Sequence, residues 1–125
     1  MKKFKIRAWA KNQMVYQDTP PNLETLHRFV VCYGNNILMD YTGLNDKNGK
    51  EIYEGDICKY NTPAYVHDGI SYEEHVETGQ VDIYVGGVRF GSWSISNIDG
   101  GMIRDIEVIG NVYENPELLE VTNVL

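Results

Sequence analysis

The pair Asn48-Gly49 constrains this chain more than any other feature. A type I′ turn needs φ above zero at both central residues, and Asn-Gly meets that need better than other dipeptides. Apolar residues flank the pair on both sides (Tyr41 and Leu44 before it, Ile52 and Tyr53 after it), so a hairpin is predicted. Similar punctuation recurs. Gly34-Asn35-Asn36 separates residues 28–33 from residues 37–42 and predicts a second hairpin. Gly86-Gly87 separates Val81, Ile83 and Val85, which alternate with Asp82 and Tyr84, from Val88, Phe90 and Ser92, which alternate with Arg89, and predicts a third. Gly55 interrupts again before a strand at 56–60.

The remaining segments fit a β protein. Residues 4–9 read as a first strand, with a weaker one at 14–16 across the polar link 10–13. Pro20 and Pro21 break the pattern, and Asn22 is placed to cap one short helical turn through His27, with Leu23 and Leu26 on one face. Residues 61–77 are polar and unperiodic, which predicts a long loop or a protruding hairpin tip. Residues 96–101 read as a loop. Residues 104–112 read as a final strand with Ile106, Val108 and Gly110 on one face and Glu107, Ile109 and Asn111 on the other. Asn115-Pro116-Glu117-Leu118-Leu119 predicts a short C-terminal helix, with Asn at the N-cap and Pro at the first helical position, docked on the sheet through its leucines. The expected fold is mainly β: one domain over 1–125, a small barrel or sandwich of about eight short strands with a short C-terminal helix. Gly55-Asp56 entering a strand also suits an SH3-like element.

Charge narrows the partners. Eleven Lys and Arg face eighteen Asp and Glu, a balance that repels phosphate backbones and anionic membranes. Lys2, Lys3, Lys5 and Arg7 form the one basic cluster, and their alternation with Phe4 and Ile6 predicts the solvated outer face of an edge strand. No apolar run has the length of a membrane span and no signal-peptide stretch opens the chain, so a cytoplasmic location is expected. Cys32 and Cys58 lie among hydrophobic residues and are expected as buried thiols.

Three stretches together resemble one family. Tyr41-Thr42-Gly43-Leu44 and then Asp46-Lys47-Asn48-Gly49-Lys50-Glu51-Ile52-Tyr53-Glu54-Gly55-Asp56-Ile57 are similar to the TGL-x-DKNGKEIYEGDIV core of the YopX-like proteins. Phe4-Lys5-Ile6-Arg7-Ala8-Trp9 resembles that family's opening motif, and Val108-Ile109-Gly110-Asn111-Val112-Tyr113-Glu114-Asn115-Pro116-Glu117-Leu118-Leu119 its closing one. Two departures are small: Ala10 and Lys11 stand where an Asp-containing turn is usual, and Cys58 replaces an aliphatic residue. The resemblance implies a small, mainly β protein of phages and prophages of Gram-positive bacteria. It brings no catalytic residues to carry over. Thr42, Gly43, Asn48, Gly49, Gly55, Asp56, Gly110, Asn111, Asn115 and Pro116 are expected to act in turns and strand starts.

The motifs offer little chemistry. Residues 46–50 open like a calcium loop, but Gly falls at the fourth place, Lys at the fifth and Ile57 at the twelfth, so the ligand pattern fails. Ser92, Ser94 and Ser96 lack a nucleophile frame, and the glycines at 86–91 precede no Lys-Ser or Lys-Thr. No cofactor and no enzymatic activity are expected. The candidate interaction surface is the irregular segment holding Tyr65, His67, Asp68, Tyr72, Glu73, Glu74 and His75. Three functions follow in order. The first is a self-associating, non-enzymatic interaction module, a homo-oligomer that binds a phage or host protein. The second is a nucleic-acid-associated barrel that gathers Lys2, Lys3, Lys5, Arg7, Arg28, Lys59 and Arg89 beside aromatics such as Tyr16, Tyr60 and Trp93, against the acidic balance. The third is a metal protein or enzyme centred on His67 and His75.

Overall fold

A computed structural model describes residues 5–65, 72–84, 87–91, 93–94 and 103–120, with the backbone alone at 63–65, 72–75, 93–94 and 120. Its order is β1 (Ile6–Ala10), β2 (Gln13–Tyr16), α1 (Leu23–Tyr33), β3 (Ile37–Asn45), β4 (Glu51–Tyr53), β5 (Asp56–Tyr65), β6 (Tyr72–Tyr84), β7 (Gly87–Phe90), β8 (Trp93–Ser94), β9 (Arg104–Asn111) and α2 (Glu117–Glu120). The strands form two antiparallel sheets, one ordered β2-β1-β3-β4 and one β8-β7-β6-β5-β9. The mainly β expectation and the short C-terminal helix are met. α2 lies against β6.

The first sheet starts with a two-residue hairpin. Lys11 (φ 51) and Asn12 (φ 62) both occupy the left-handed region, which is the type I′ signature, and Ala10 pairs with Gln13 across them. The Asn48-Gly49 reversal is of another kind. Asp46 and Lys50 close a three-residue loop, with the Asp46 amide donating to the Lys50 carbonyl at 2.8 Å, and Gly49 (φ 85) alone in that loop has positive φ. A type I turn followed by a left-handed glycine makes the same hairpin with one residue more.

The largest correction falls at residues 28–33, which belong to α1 and not to a strand. Asn22 does cap the helix, but the helix continues for 11 residues. Its cap is a full box: the Asn22 side chain accepts from the Thr25 amide at 3.0 Å, and Thr25 Oγ1 accepts from the Asn22 amide at 3.1 Å. Val30-Val31-Cys32 favours a strand by propensity, yet Leu26, Phe29 and Tyr33 recur at helical spacing and pack with Ile6, Ala8, Val15 and Leu38 of the sheet. Tertiary burial of that stripe outweighs a propensity difference of a few tenths of a kcal/mol per residue. Gly34-Asn35-Asn36 therefore joins a helix to β3. Cys32 sits exposed on α1, against expectation, whereas Cys58 is buried in the second sheet.

Residues 61–77 are also corrected. Most of them are strand: β5 and β6 pair from Ile57↔Gln80 to Tyr65↔Tyr72. β9 accompanies β5 only as far as Asn61↔Arg104, so beyond that point the described hairpin is a two-stranded ribbon. A ribbon that has no third strand among the described residues lacks the apolar alternation that marks a half-buried strand. The predicted loop 96–101 lies outside the described residues.

The main core is built mostly on the second sheet, with Ile52 of β4 and Leu44 of β3 reaching it from the first. Ile52, Cys58, Tyr60, Val81, Val88, Phe90 and Ile103 pack together, with Leu44, Ile83, Ile106 and Val108 at its margin. Tyr60 donates its hydroxyl to the Phe90 carbonyl at 3.1 Å, and burial pushes its pKa up to about 12. Ile106 and Val108 thus hold the inward face that their spacing predicts.

Candidate functional site

The family-specific stretch 41–60 is where the two sheets are joined. Gly55 (φ 90) lies between β4 and β5; its amide donates to the Val81 carbonyl and its carbonyl accepts from Val112, both at 2.9 Å. The neighbouring Glu54 amide donates to Asp40 of the first sheet at 2.9 Å. A side chain at Gly55 would meet Met39 Sδ at 3.1 Å, besides the strain of its φ. Thr42 and Gly43 (φ 87) form a bulge in β3, where Thr42 Oγ1 donates to the Ile52 carbonyl at 2.7 Å. Asp46 accepts three amides, from Asn48, Lys50 and Val108, each at 2.9 Å. Burial pushes its carboxyl up, but those three donors outweigh it and hold the pKa below the ordinary value.

Asp56 is the other anchor. Its Oδ2 accepts the Tyr53 amide at 2.8 Å, and its Oδ1 meets Arg7 Nη2 at 2.8 Å, with both side chains 3% exposed. The alternation of residues 2–7 predicts Arg7 on a solvated edge. Instead β1 lies inside the sheet, between β2 and β3, and its residue 7 faces the joint. The guanidinium stacks 4.7 Å from the Tyr53 ring and donates to the Glu54 carbonyl at 3.2 Å, while its Nε has no partner. Burial raises the Asp56 pKa above the ordinary carboxylate value, and Arg7 pulls it only part of the way back. Sequence alternation could place Arg7 on one face of a strand but could not supply the acid 49 positions away.

The closing motif is likewise structural. Asn111 Oδ1 accepts the amides of Tyr113 at 3.0 Å and Glu114 at 2.9 Å. Asn115 turns its side chain back to the Asn111 amide at 3.2 Å and leaves no room for a Cβ at Gly110, while the carbonyl of Pro116 takes the amide of Leu119 at 3.2 Å. The Asn115 side chain thus serves the turn, while its carbonyl accepts the Leu118 amide at 3.0 Å at the start of α2.

The predicted interaction surface is dispersed along the ribbon. Tyr65 pairs with Tyr72 at its described end, and Glu73, Glu74 and His75 pair by backbone with Ala64, Pro63 and Thr62. His67 and Asp68 lie outside the described residues. Among the described residues, no three His, Cys, Asp or Glu side chains gather as a metal site requires. The basic residues proposed for nucleic acid do not form one exposed set. Arg7 is buried, Lys5 is paired with Glu51, Arg28 with Asp18 and Glu24, and Lys59 with Glu107, while Arg89 stacks on Tyr84 at 4.9 Å. Lys2 and Lys3 lie outside the described residues. Among those residues no helix is long and apolar enough to cross a membrane.

A surface that the sequence reading missed runs between β2 and α1. Among the described residues β2 is an edge strand, and two adjoining hollows of about 260 Å³ and 210 Å³ lie along it, sharing Val15, Cys32 and Tyr33 as walls. Lys11 borders one and Asp18 with Arg28 the other. Tyr16, which lines the second, is 50% exposed; elsewhere on α1 Leu23, Val30 and Val31 are exposed as well. Exposed apolar side chains beside an unpaired strand edge are the usual physical marks of an interaction surface. The spacing of Asn22, Thr25, Leu26, Phe29 and Tyr33 was the signal for the helix that builds it.

No curated protein matches the chain. Among solved structures it is similar to protein EF1440 from Enterococcus faecalis, with 34% identity over 72% of this chain and 61% of that one, and a TM-score of 0.46. This chain thus spans less than two thirds of that protein. Residues 4–120 match the family described as YopX protein, nearly the whole length and all three motifs on which the resemblance stood. The chain belongs to the YopX family.

Proposed function

We propose that this chain is a non-enzymatic protein-interaction module that associates with itself, carried by a phage or prophage and acting on a phage or host protein in the bacterial cytoplasm. The observation that supports it most is the edge of β2, unpaired among the described residues, with Tyr16 half exposed on it and two hollows between it and α1. An unpaired strand edge offers backbone donors and acceptors to another strand, and adjacent apolar side chains supply area for burial. The two polar clusters in the family motifs serve the fold: Asp46 clips a turn to β9, and Asp56 holds Arg7. The phage setting comes from the family resemblance.

Light scattering of the intact chain during size exclusion, over a hundredfold range of concentration, tests the reading. A mass above that of one chain that falls on dilution is expected, with no retardation of DNA or RNA at low salt. A single-chain mass at every concentration refutes self-association. Retardation that weakens steeply with salt would favour the nucleic-acid reading instead.

A further inference from the structure

We infer that two copies of this chain pair through β2, antiparallel about a two-fold axis at Val15, so that two four-stranded sheets become one continuous sheet. This rests on the self-association proposed above and names its surface. The hydrogen-bond parity of β2 carries the argument. Ala10 and Gln13 close the type I′ turn and therefore form a hydrogen-bonded pair, and the Gln17 amide donates to Ile6 at 3.1 Å four residues further on. Gln13, Val15 and Gln17 thus turn their backbone groups toward β1. Met14 and Tyr16 turn theirs to the open edge.

In an antiparallel two-fold pairing the numbers of opposed residues have a constant sum. Placing the axis at Val15 sets Met14 opposite Tyr16 of the second copy, and Tyr16 opposite its Met14. It is the one two-fold register that pairs both outward-facing residues of each chain, and it makes four backbone hydrogen bonds across the edge. Each Met14 then lies against an aromatic ring, a favourable contact for a thioether. Tyr16 is half exposed.

Charge supports the same register. Lys11 and Asp18 lie at opposite ends of β2, and both border the hollows on its helix side. The pairing brings Lys11 of each copy one position from direct opposition to Asp18 of the other, twice by symmetry. Arg28 on the adjoining helix lies 3.6 Å from Asp18 and 3.1 Å from Glu24, so these three carry one cation and two acids, and Lys11 brings the sum to zero. The contact region is therefore locally neutral, although the formal charge of each chain is −7, and repulsion between the two copies is screened beyond about 8 Å at physiological salt.

Sedimentation velocity on the intact chain and three variants tests the pairing. Met14→Pro removes an outward N–H that the fold does not use, and raises the dimer dissociation constant about tenfold or more. Lys11→Asp suits the left-handed turn position better than lysine does, so it keeps the fold while raising the constant about five- to tenfold. Adding Asp18→Lys to Lys11→Asp restores association, because each copy then presents the reversed pair. Restoration in the double variant is the supporting result. An oligomer indifferent to Met14→Pro, or one that Lys11→Asp weakens without rescue by the second change, overturns this pairing and leaves self-association standing. A chain monomeric at every concentration overturns both, and leaves the edge to a strand from a different protein.

Discussion

Replacing Arg7 with methionine tests the account of the joint directly. The guanidinium is 3% exposed and meets Asp56 at 2.8 Å, so its removal leaves a carboxylate enclosed with the Tyr53 amide as its remaining donor. Breaking one side of such a pair costs about 3–5 kcal/mol, much of it the penalty of the abandoned charge. For a chain of 125 residues, about 4 °C of melting temperature accompanies each kcal/mol, giving a fall of about 12–20 °C. Methionine keeps a thioether against the Tyr16 and Tyr53 rings, so lost packing is a minor part. Adding Asp56→Asn removes the stranded charge and keeps an acceptor for the Tyr53 amide. The double variant should therefore return to within about 1–2 kcal/mol of the parent.

The pH dependence carries a sign. The folded pKa of Asp56 is raised, so the native state holds a proton where the unfolded state has lost it, and this group's contribution falls as pH rises through the folded value. Without Arg7 the shift grows. The deficit of Arg7→Met is thus largest at neutral pH and shrinks as pH falls through the folded pKa of Asp56. Urea unfolding of the four proteins of the cycle at several pH values measures both effects. A cost below about 1 kcal/mol at neutral pH, or a deficit that does not change with pH, refutes the reasoning.

Other outcomes follow from single contacts. Asp46→Asn costs about 1–3 kcal/mol and flattens the acid limb of stability; the lowered pKa contributes stability that is complete above the ordinary value of 3.8 and lost as pH falls through the folded one, as acid titration of the unfolding midpoint will show. A native-state thiol assay labels Cys32 rapidly and Cys58 only on unfolding, since burial pushes the Cys58 thiol up to about 12. Gly79→Ala puts a Cβ 2.9 Å from the Gly91 backbone and 2.6 Å from the Tyr60 hydroxyl, and should cost about 2–3 kcal/mol by thermal melting; trimming Tyr60 to Phe relieves only the second clash.

What the sequence made legible was local. Asn48-Gly49, Gly55-Asp56 and the 104–112 alternation each carry their structure within a few residues, so the β class, two hairpins and the final strand could be read directly. Arg28 to Tyr33 misled because Val30 and Val31 favour a strand, while the helix depends on Ile6, Ala8 and Leu38 lying beneath Phe29. The ribbon was hidden for the opposite reason: its residues 61–65 and 72–77 are mostly polar and carry no apolar period. Arg7 was assigned to solvent because a cation on an alternating strand usually faces water, and nothing near it in the chain names Asp56. The interaction surface went unread because it depends on which strand of the sheet is last, and the order β2-β1-β3-β4 is a property of assembly.

The bonds made by Gly55 also bear on when the protein can become itself during synthesis. Its partners are Val81 and Val112, so the seam between the sheets closes only after residue 112 has left the ribosome. Until then the first sheet has its helix and hairpins but no second sheet to lean on, and Arg7 waits in a half-built pocket. Chains stopped before residue 112 are expected to stay open and be degraded quickly, whereas the finished chain should melt in one transition, the two sheets leaving together.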